Sequence, residues 1–405
     1  MKRFDPMEAM AAMRHEFGEH GGVNMSIEAS TTFTVMQAMT MPDIFHGLRG
    51  PDEGGCYLYG RHYNPTVYAL SHQLAAMEAT ENAYCTASGM SAIAATIFQL
   101  CRTGDHVVAS KTLYGGSYAL LNNFLPERSG ERTTFVDIDD MAAVERAFTP
   151  RTRVLYTETL ANPTLVVSNL PELARIAHAH GAALVVDNTF SPLIVTPALH
   201  GADVVVHSLT KFVSGSSDII AGVVCGSKEF ISSMMDVTNG ALMLLGPTMD
   251  PRIAFELSTR LPHLGVRMVE HGRRALAMAE LLEKHGFDVH YPGLKTHPHH
   301  ERLKGMMNEG FGWGGIVSVD LKTIERANRF MEHLQLQEKF GFIAVSLGFT
   351  DTLMSASAYS TSSEMPEEDQ ARAGISPGLV RMSIGITGAL DQRLAQLESA
   401  IRAVR

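Results

Sequence analysis

Lys211 follows an apolar run at 202–206 and stands beside Ser208 and Thr210, while Asp187 closes a second apolar run at 182–186. An amine presented this way can condense with an aldehyde, and the hydroxyls beside it can donate to a phosphate. A carboxylate such as Asp187 can keep a pyridine nitrogen protonated, which turns the ring into an electron sink. Pyridoxal phosphate needs these groups together. Either strand end alone is equally compatible with a buried lysine paired to an unrelated aspartate; their combination favours the cofactor. Thr86-Ala87-Ser88-Gly89-Met90-Ser91 adds a helix start whose amides can hold an anion, with Gly89 permitting close backbone approach. Ile93, Ile97 and Leu100 continue as the apolar face of that helix, and an ordinary capped helix would read the same way.

These residues need strands to carry them. Short β-branched runs at 106–109, 133–138, 153–156, 182–186, 203–206 and 219–225 alternate with helical patterns such as 171–180, where Leu173, Ile176 and Ala177 share a face. Such alternation predicts an α/β fold with a mostly parallel sheet covered by helices on both faces. Ligands of such sheets sit beyond the carboxyl ends of the strands, where Asp187 and Lys211 fall. From about residue 250 the pattern changes to a long helical stretch at 252–285, strands near 315–321, 342–347 and 379–386, and a terminal helix at 391–404. The expected division is an N-terminal arm at 1–60, an α/β domain at 61–250 and a smaller α+β domain at 251–405. The arm is rich in Met, Gly and Pro, lacks a strong period and needs a partner surface to be ordered.

Composition narrows the function classes. Lys and Arg total 33 against 43 Asp and Glu, a formal charge of −10 that disfavours nucleic acid as a partner. No uninterrupted apolar run approaches the ~20 residues of a membrane helix. Acidic and Met/Ala-rich residues follow Met1-Lys2-Arg3-Phe4-Asp5 where a secretory signal would place an apolar core, so a cytoplasmic protein is expected. Cys56, Cys85, Cys101 and Cys225 are widely spaced and read as reduced, small apolar residues. His15 and His20 are five apart with Gly18 between them, off the i, i+4 face of a zinc helix, and His297-Pro298-His299-His300 reads as a polar loop. No metal is expected. The 23 methionines read as core filler.

Several runs together resemble the Cys/Met-metabolism family of pyridoxal phosphate enzymes, which is cystathionine γ-synthase-like and of fold type I. They are Tyr57-Leu58-Tyr59-Gly60-Arg61-His62-Tyr63-Asn64-Pro65-Thr66, Ser88-Gly89-Met90, Leu113-Tyr114-Gly115-Gly116, Ala161-Asn162-Pro163-Thr164, Val186-Asp187-Asn188-Thr189-Phe190, Ser208-Leu209-Thr210-Lys211 and Val380-Arg381-Met382-Ser383-Ile384-Gly385. Within that family the similarity is closest to plant-type methionine γ-lyases, on the runs at 14–26, 244–249, 261–265 and 291–294. The resemblance implies a seven-stranded type of sheet and a role for each matching residue. Lys211 would bind the cofactor covalently and move protons during catalysis. Asp187 would pair with the ring nitrogen, and Asn162 would bond the ring oxygen. Tyr114 would stack on the ring and protonate the departing thiolate. Gly89, Met90, Ser208 and Thr210 would hold the phosphate from their own subunit, with Tyr59 and Arg61 reaching it from a neighbour. Arg381, helped by Ser346, would grip the substrate carboxylate.

The implied reaction is α,γ-elimination of L-methionine, with homocysteine as a second substrate, by a homo-oligomer whose active unit is a dimer within a tetramer. The alternatives are γ-replacement on O-acetyl- or O-succinylhomoserine and cystathionine γ-lyase activity; a non-catalytic vitamin B6 carrier is opposed by the full set of acid–base groups. Three departures from the family pattern bear on specificity. Gly116 stands where many microbial methionine γ-lyases have a cysteine, Ala356-Ser357-Ala358-Tyr359-Ser360-Thr361 replaces a P-A-S-M-T-H-like run, and Arg260-Leu261-Pro262-His263 replaces a glycine-leucine-lysine-threonine run.

Overall fold

The computed structural model describes residues 3–13, 20–52 and 57–405. Seven strands form the larger sheet: β1 (Asn82–Thr86), β2 (His106–Ser110), β3 (Arg132–Val136), β4 (Thr152–Glu158), β5 (Ala183–Asp187), β6 (Val204–Ser208) and β7 (Gly222–Gly226), in the order β1-β7-β6-β5-β4-β2-β3. Neighbours from β3 through β6 run parallel, and β7 lies antiparallel to both β6 and β1. Apart from the edge strand β3, whose Arg132 and Thr134 are exposed, the sheet is buried on both faces, as a parallel sheet requires. Successive residues of β5 go to opposite sides: Leu184 and Val186 join Leu173 and Ile176 of helix Leu170–Ala179, whereas Val185 joins Ile93 and Ile97 of helix Gly89–Leu100. The expected mostly parallel, doubly covered sheet is therefore present. β1 escapes a reading by β-branched runs because its residues are Asn, Ala, Tyr, Cys and Thr.

β8 (Asp288–His290), β9 (Ile316–Asp320), β10 (Gly341–Ile343), β11 (Thr352–Ala356) and β12 (Leu379–Ser383) form the smaller sheet, ordered β10-β11-β12-β9-β8. Phe330, Leu397 and Met278, from three helices, pack against Val317, Val319, Val380 and Met382 of this sheet. The single helical stretch expected at 252–285 is interrupted: helix Pro251–Arg260 gives way to a 3₁₀ turn, Leu261–His263, before helix Leu264–Lys284. Pro262 supplies the physical reason, since it has no amide hydrogen to continue the α ladder. The strand expected at 342–347 shortens to β10, and the residues after it turn toward Lys211, which follows β6 of the larger sheet.

Part of the arm has order within its own chain. Helix Pro6–Ala12, capped by the Asp5 carboxylate, buries Met10 in the core beside Leu70 and Leu74 of helix Pro65–Met77. Val23 and Met36 are 94% and 95% exposed, so this stretch of the arm leaves large apolar side chains uncovered by its own chain. Cys85, Cys101 and Cys225 are free and buried. Cys56, His15 and the run at 14–19 lie outside the described residues. His299 bridges to Asp139 at 3.0 Å and His300 bonds the Pro292 carbonyl at 2.8 Å, so both imidazoles serve loop packing. Among the described residues no helix is long and apolar enough to cross a membrane.

Candidate active site

β4, β5 and β6 end on Glu158, Asp187 and Ser208, and the turn after β6 carries Lys211. These ends open into a cavity of about 330 Å³, within the ~300–1,000 Å³ of small-molecule sites. Gly89, Met90, Tyr114, Asn162, Asp187, Ser208, Thr210, Lys211, Ser346 and Arg381 all line it. Tyr59 and Arg61 are not among its lining residues; the Arg61 guanidinium lies over the Tyr59 ring, 5.3 Å from its centroid.

Helix Gly89–Leu100 starts with a capping box in which Ser88 Oγ accepts from the Ser91 amide and Ser91 Oγ from the Ser88 amide. The Gly89 and Met90 amides are thereby left as first-turn donors for an anion. Gly89 is needed sterically: a Cβ there would sit 2.7 Å from Ser208 Cβ. Thr210 Oγ1 exchanges hydrogen bonds with Ala221, accepting from its amide at 3.0 Å and donating to its carbonyl at 3.2 Å.

Lys211 Nζ donates to Ser346 Oγ at 3.1 Å, and burial together with the Arg381 charge lowers its amine to about 8. Ser346 has φ +140°, an unfavourable conformation for an L-residue, and its carbonyl accepts from Arg381 Nη2 at 3.0 Å. Two residues on, Gly348 has φ +78°, and a Cβ there would meet Phe212 N at 2.4 Å. The loop after β10 of the smaller sheet thus presses directly on the backbone that presents the lysine. Arg381 is 2% exposed; its Nη1 donates to Asn162 Oδ1 at 3.0 Å, and its Nε is buried without a partner.

Glu158 and Thr189 were not singled out from the sequence. Glu158 is 5% exposed and accepts from the Tyr114 amide through Oε1 and the Asn162 amide through Oε2, both at 2.7 Å, tying two site loops together. Its signal was available in principle, a carboxylate ending an apolar strand as Asp187 does, but the run read as strand stopped at Tyr156. Thr189 Oγ1 donates to Asp187 Oδ1 at 2.5 Å and accepts from the Ser208 amide at 2.9 Å, a relay between two strand ends. A hydroxyl two residues after an aspartate is an ordinary turn signal.

Glu158 and Asp187 are register partners across β4 and β5. Burial pushes both carboxyls above their usual range, and the Asp187 charge raises Glu158 further. A cationic ring nitrogen beside Asp187 would relieve that strain. First-turn amides, a glycine too crowded for a side chain, a deprotonable lysine and the buried Asp187 carboxylate at a neighbouring strand end are what pyridoxal phosphate requires, so the residues present fit it.

The sequence profile described as Cys/Met metabolism PLP-dependent enzyme matches residues 8–402. The chain is 57% identical over 98% of its length to a methionine gamma-lyase of Arabidopsis thaliana, of which it covers 90%. It is 35% identical over 99% of its length to an O-succinylhomoserine sulfhydrylase of Pseudomonas aeruginosa, of which it covers 96%. A solved structure described as a putative O-acetylhomoserine (thiol)-lyase from Campylobacter jejuni, with an N'-pyridoxyl-lysine-5'-monophosphate, superposes with a TM-score of 0.90 at 26% identity, covering 98% of this chain and 100% of that one. The lysine, the helix start with its open first-turn amides and the match along almost the whole sequence lead to one assignment: the chain belongs to the Cys/Met-metabolism family of pyridoxal phosphate-dependent enzymes.

Proposed function

We propose that the protein is a carbon–sulfur lyase that converts L-methionine and water to methanethiol, 2-oxobutanoate and ammonia by α,γ-elimination. The observation that carries this reading is the convergence of Lys211, Tyr114 and Arg381 on one cavity, in a chain 57% identical to a methionine gamma-lyase. Pyridoxal phosphate, when bound, draws electron density from the substrate's Cα and makes the adjoining protons acidic.

This chain's residues do the remainder. The Gly89 and Met90 amides and the Ser208 hydroxyl hold the phosphate, joined by the Thr210 hydroxyl once its hydrogen turns from the Ala221 carbonyl, with Tyr59 and Arg61 of a second copy completing it. Asp187, steadied by Thr189, holds the ring nitrogen's proton; Asn162 keeps its amide hydrogens for the ring oxygen, because its Oδ1 already accepts from Arg381. Arg381 orients the substrate carboxylate with Nε and its remaining fork hydrogens. Lys211 Nζ, lowered to about 8 by burial and then by the Arg381 charge, takes the proton from Cα in its neutral form, which gains population as pH rises toward 8. Tyr114 Oη has its acidity reduced, first by burial and then by neighbouring carboxylates, so it keeps its proton for the departing sulfur.

The 35% identity to an O-succinylhomoserine sulfhydrylase supports a second reading, γ-replacement by a thiol. Methionine, homocysteine, cystathionine and O-acetylhomoserine, each given with and without sulfide, separate the two. Elimination predicts 2-oxobutanoate from methionine without sulfide. A sulfide-dependent thioether or thiol product, with no 2-oxobutanoate, would establish replacement instead.

A further inference from the structure

The segment after the 3₁₀ turn Ser357–Tyr359 lies against the loop that carries Tyr114. The Gly115 amide donates to the Thr361 carbonyl at 3.1 Å, and a Cβ on Gly115 would fall 2.5 Å from that oxygen and 2.3 Å from Glu364 Oε2. The Glu364 carboxylate therefore rests on the backbone one residue from Tyr114. Glu364 is exposed, and no cation pairs with it among the described residues. Thr361 lines the cavity, and its Oγ1 is buried without a partner. After burial, the Glu364 charge is the strongest influence on the Tyr114 hydroxyl and pushes it up.

Substrate orientation follows from the proposed reaction, on which this inference rests. The α-carboxylate lies at Arg381, Cα lies near Lys211, and the leaving group must reach Tyr114 Oη. Whatever the leaving group carries beyond that point emerges beside Thr361 and Glu364. A methylthio or acetyl group is short and neutral, whereas a succinyl ester ends in a carboxylate. We propose that Glu364 is a specificity-determining residue that rejects γ-substituents carrying a terminal negative charge and admits neutral ones.

The test compares kcat/KM for O-succinylhomoserine and O-acetylhomoserine in the holoenzyme, in Glu364→Gln and in Glu364→Asp. The Gln variant should raise the succinyl-to-acetyl ratio roughly five- to tenfold, the size of a like-charge contact partly screened by solvent. The Asp variant keeps the charge and should stay near wild type. Taking wild type from ~0.01 M to ~1 M salt, which shortens the screening length from about 30 Å to 3 Å, should move the ratio in the same direction as the Gln substitution. A ratio unchanged in the Gln variant, or a wild-type ratio indifferent to salt, overturns the proposal. Should the Gln variant fail to fold, the salt series on wild type decides. A wild type that consumes the esters but not methionine overturns the reaction proposed above, while the ester ratio still judges Glu364.

Discussion

The Lys211 amine sits where its charged form is costly. Burial and Arg381 bring it from 10.5 to about 8, so it is an ammonium below that pH and a nucleophile above it. Capture of added pyridoxal phosphate by the apoprotein should therefore quicken with rising pH and level off above about pH 8; a rate still climbing toward 10.5 would mean an exposed lysine. Tyr114→Phe should slow methionine elimination by about 10²–10⁴-fold while retaining exchange of the Cα proton in heavy water. Equal loss of both would reduce the ring to packing. Arg381→Lys keeps the charge but loses the planar fork, so methionine KM should rise steeply with unchanged cofactor absorbance. An unaltered KM would place the substrate carboxylate elsewhere. Lys211 and Asp187 were legible because each follows an apolar run with polar residues after it. Glu158 was not, because its role depends on accepting from backbone amides of residues 114 and 162, a pairing that only the fold creates.

At the scale of elements, the six runs read as strands all correspond to members of the large sheet, since strands buried on both faces, antiparallel β7 included, are continuous apolar runs and half-exposed β3 keeps its β-branched residues. β8, three residues long, lies below what periodicity resolves, while β10, equally short, is overextended by the run read at 342–347. The turn from β10 toward the lysine is equally hidden, because its strained Ser346 and close-packed Gly348 are held by residues distant in sequence, Lys211, Phe212 and Arg381. Gly348→Ala should cost about 1–3 kcal/mol from the backbone conformation alone, with the 2.4 Å approach to Phe212 N adding to it. Denaturant unfolding with parallel cofactor absorbance measures both consequences. Undiminished stability would mean that the loop is free to move off Lys211. Gly116 has a related constraint: a Cβ there would fall 2.6 Å from Tyr114 Cε1, so the cysteine of many microbial relatives cannot enter without moving the ring.

The whole molecule poses the question of assembly, because Tyr59 and Arg61 lie off their own chain's cavity and the arm leaves Val23 and Met36 uncovered. If Arg61 completes a neighbour's phosphate site, Arg61→Ala and Lys211→Ala homodimers should each be nearly inactive. Mixed dimers should contain one intact site and one doubly damaged site, so random pairing should restore about a quarter of wild-type activity. Mixed dimers without recovery would mean that each chain builds its own phosphate site. The central claim is tested most directly by giving purified holoenzyme L-methionine alone and quantifying all products. Equimolar methanethiol, 2-oxobutanoate and ammonia, lost in a folded Lys211→Ala variant, is the predicted result. Methionine left unconsumed by a yellow, folded wild type, or consumed at an unchanged rate by the Lys211 variant, would contradict it.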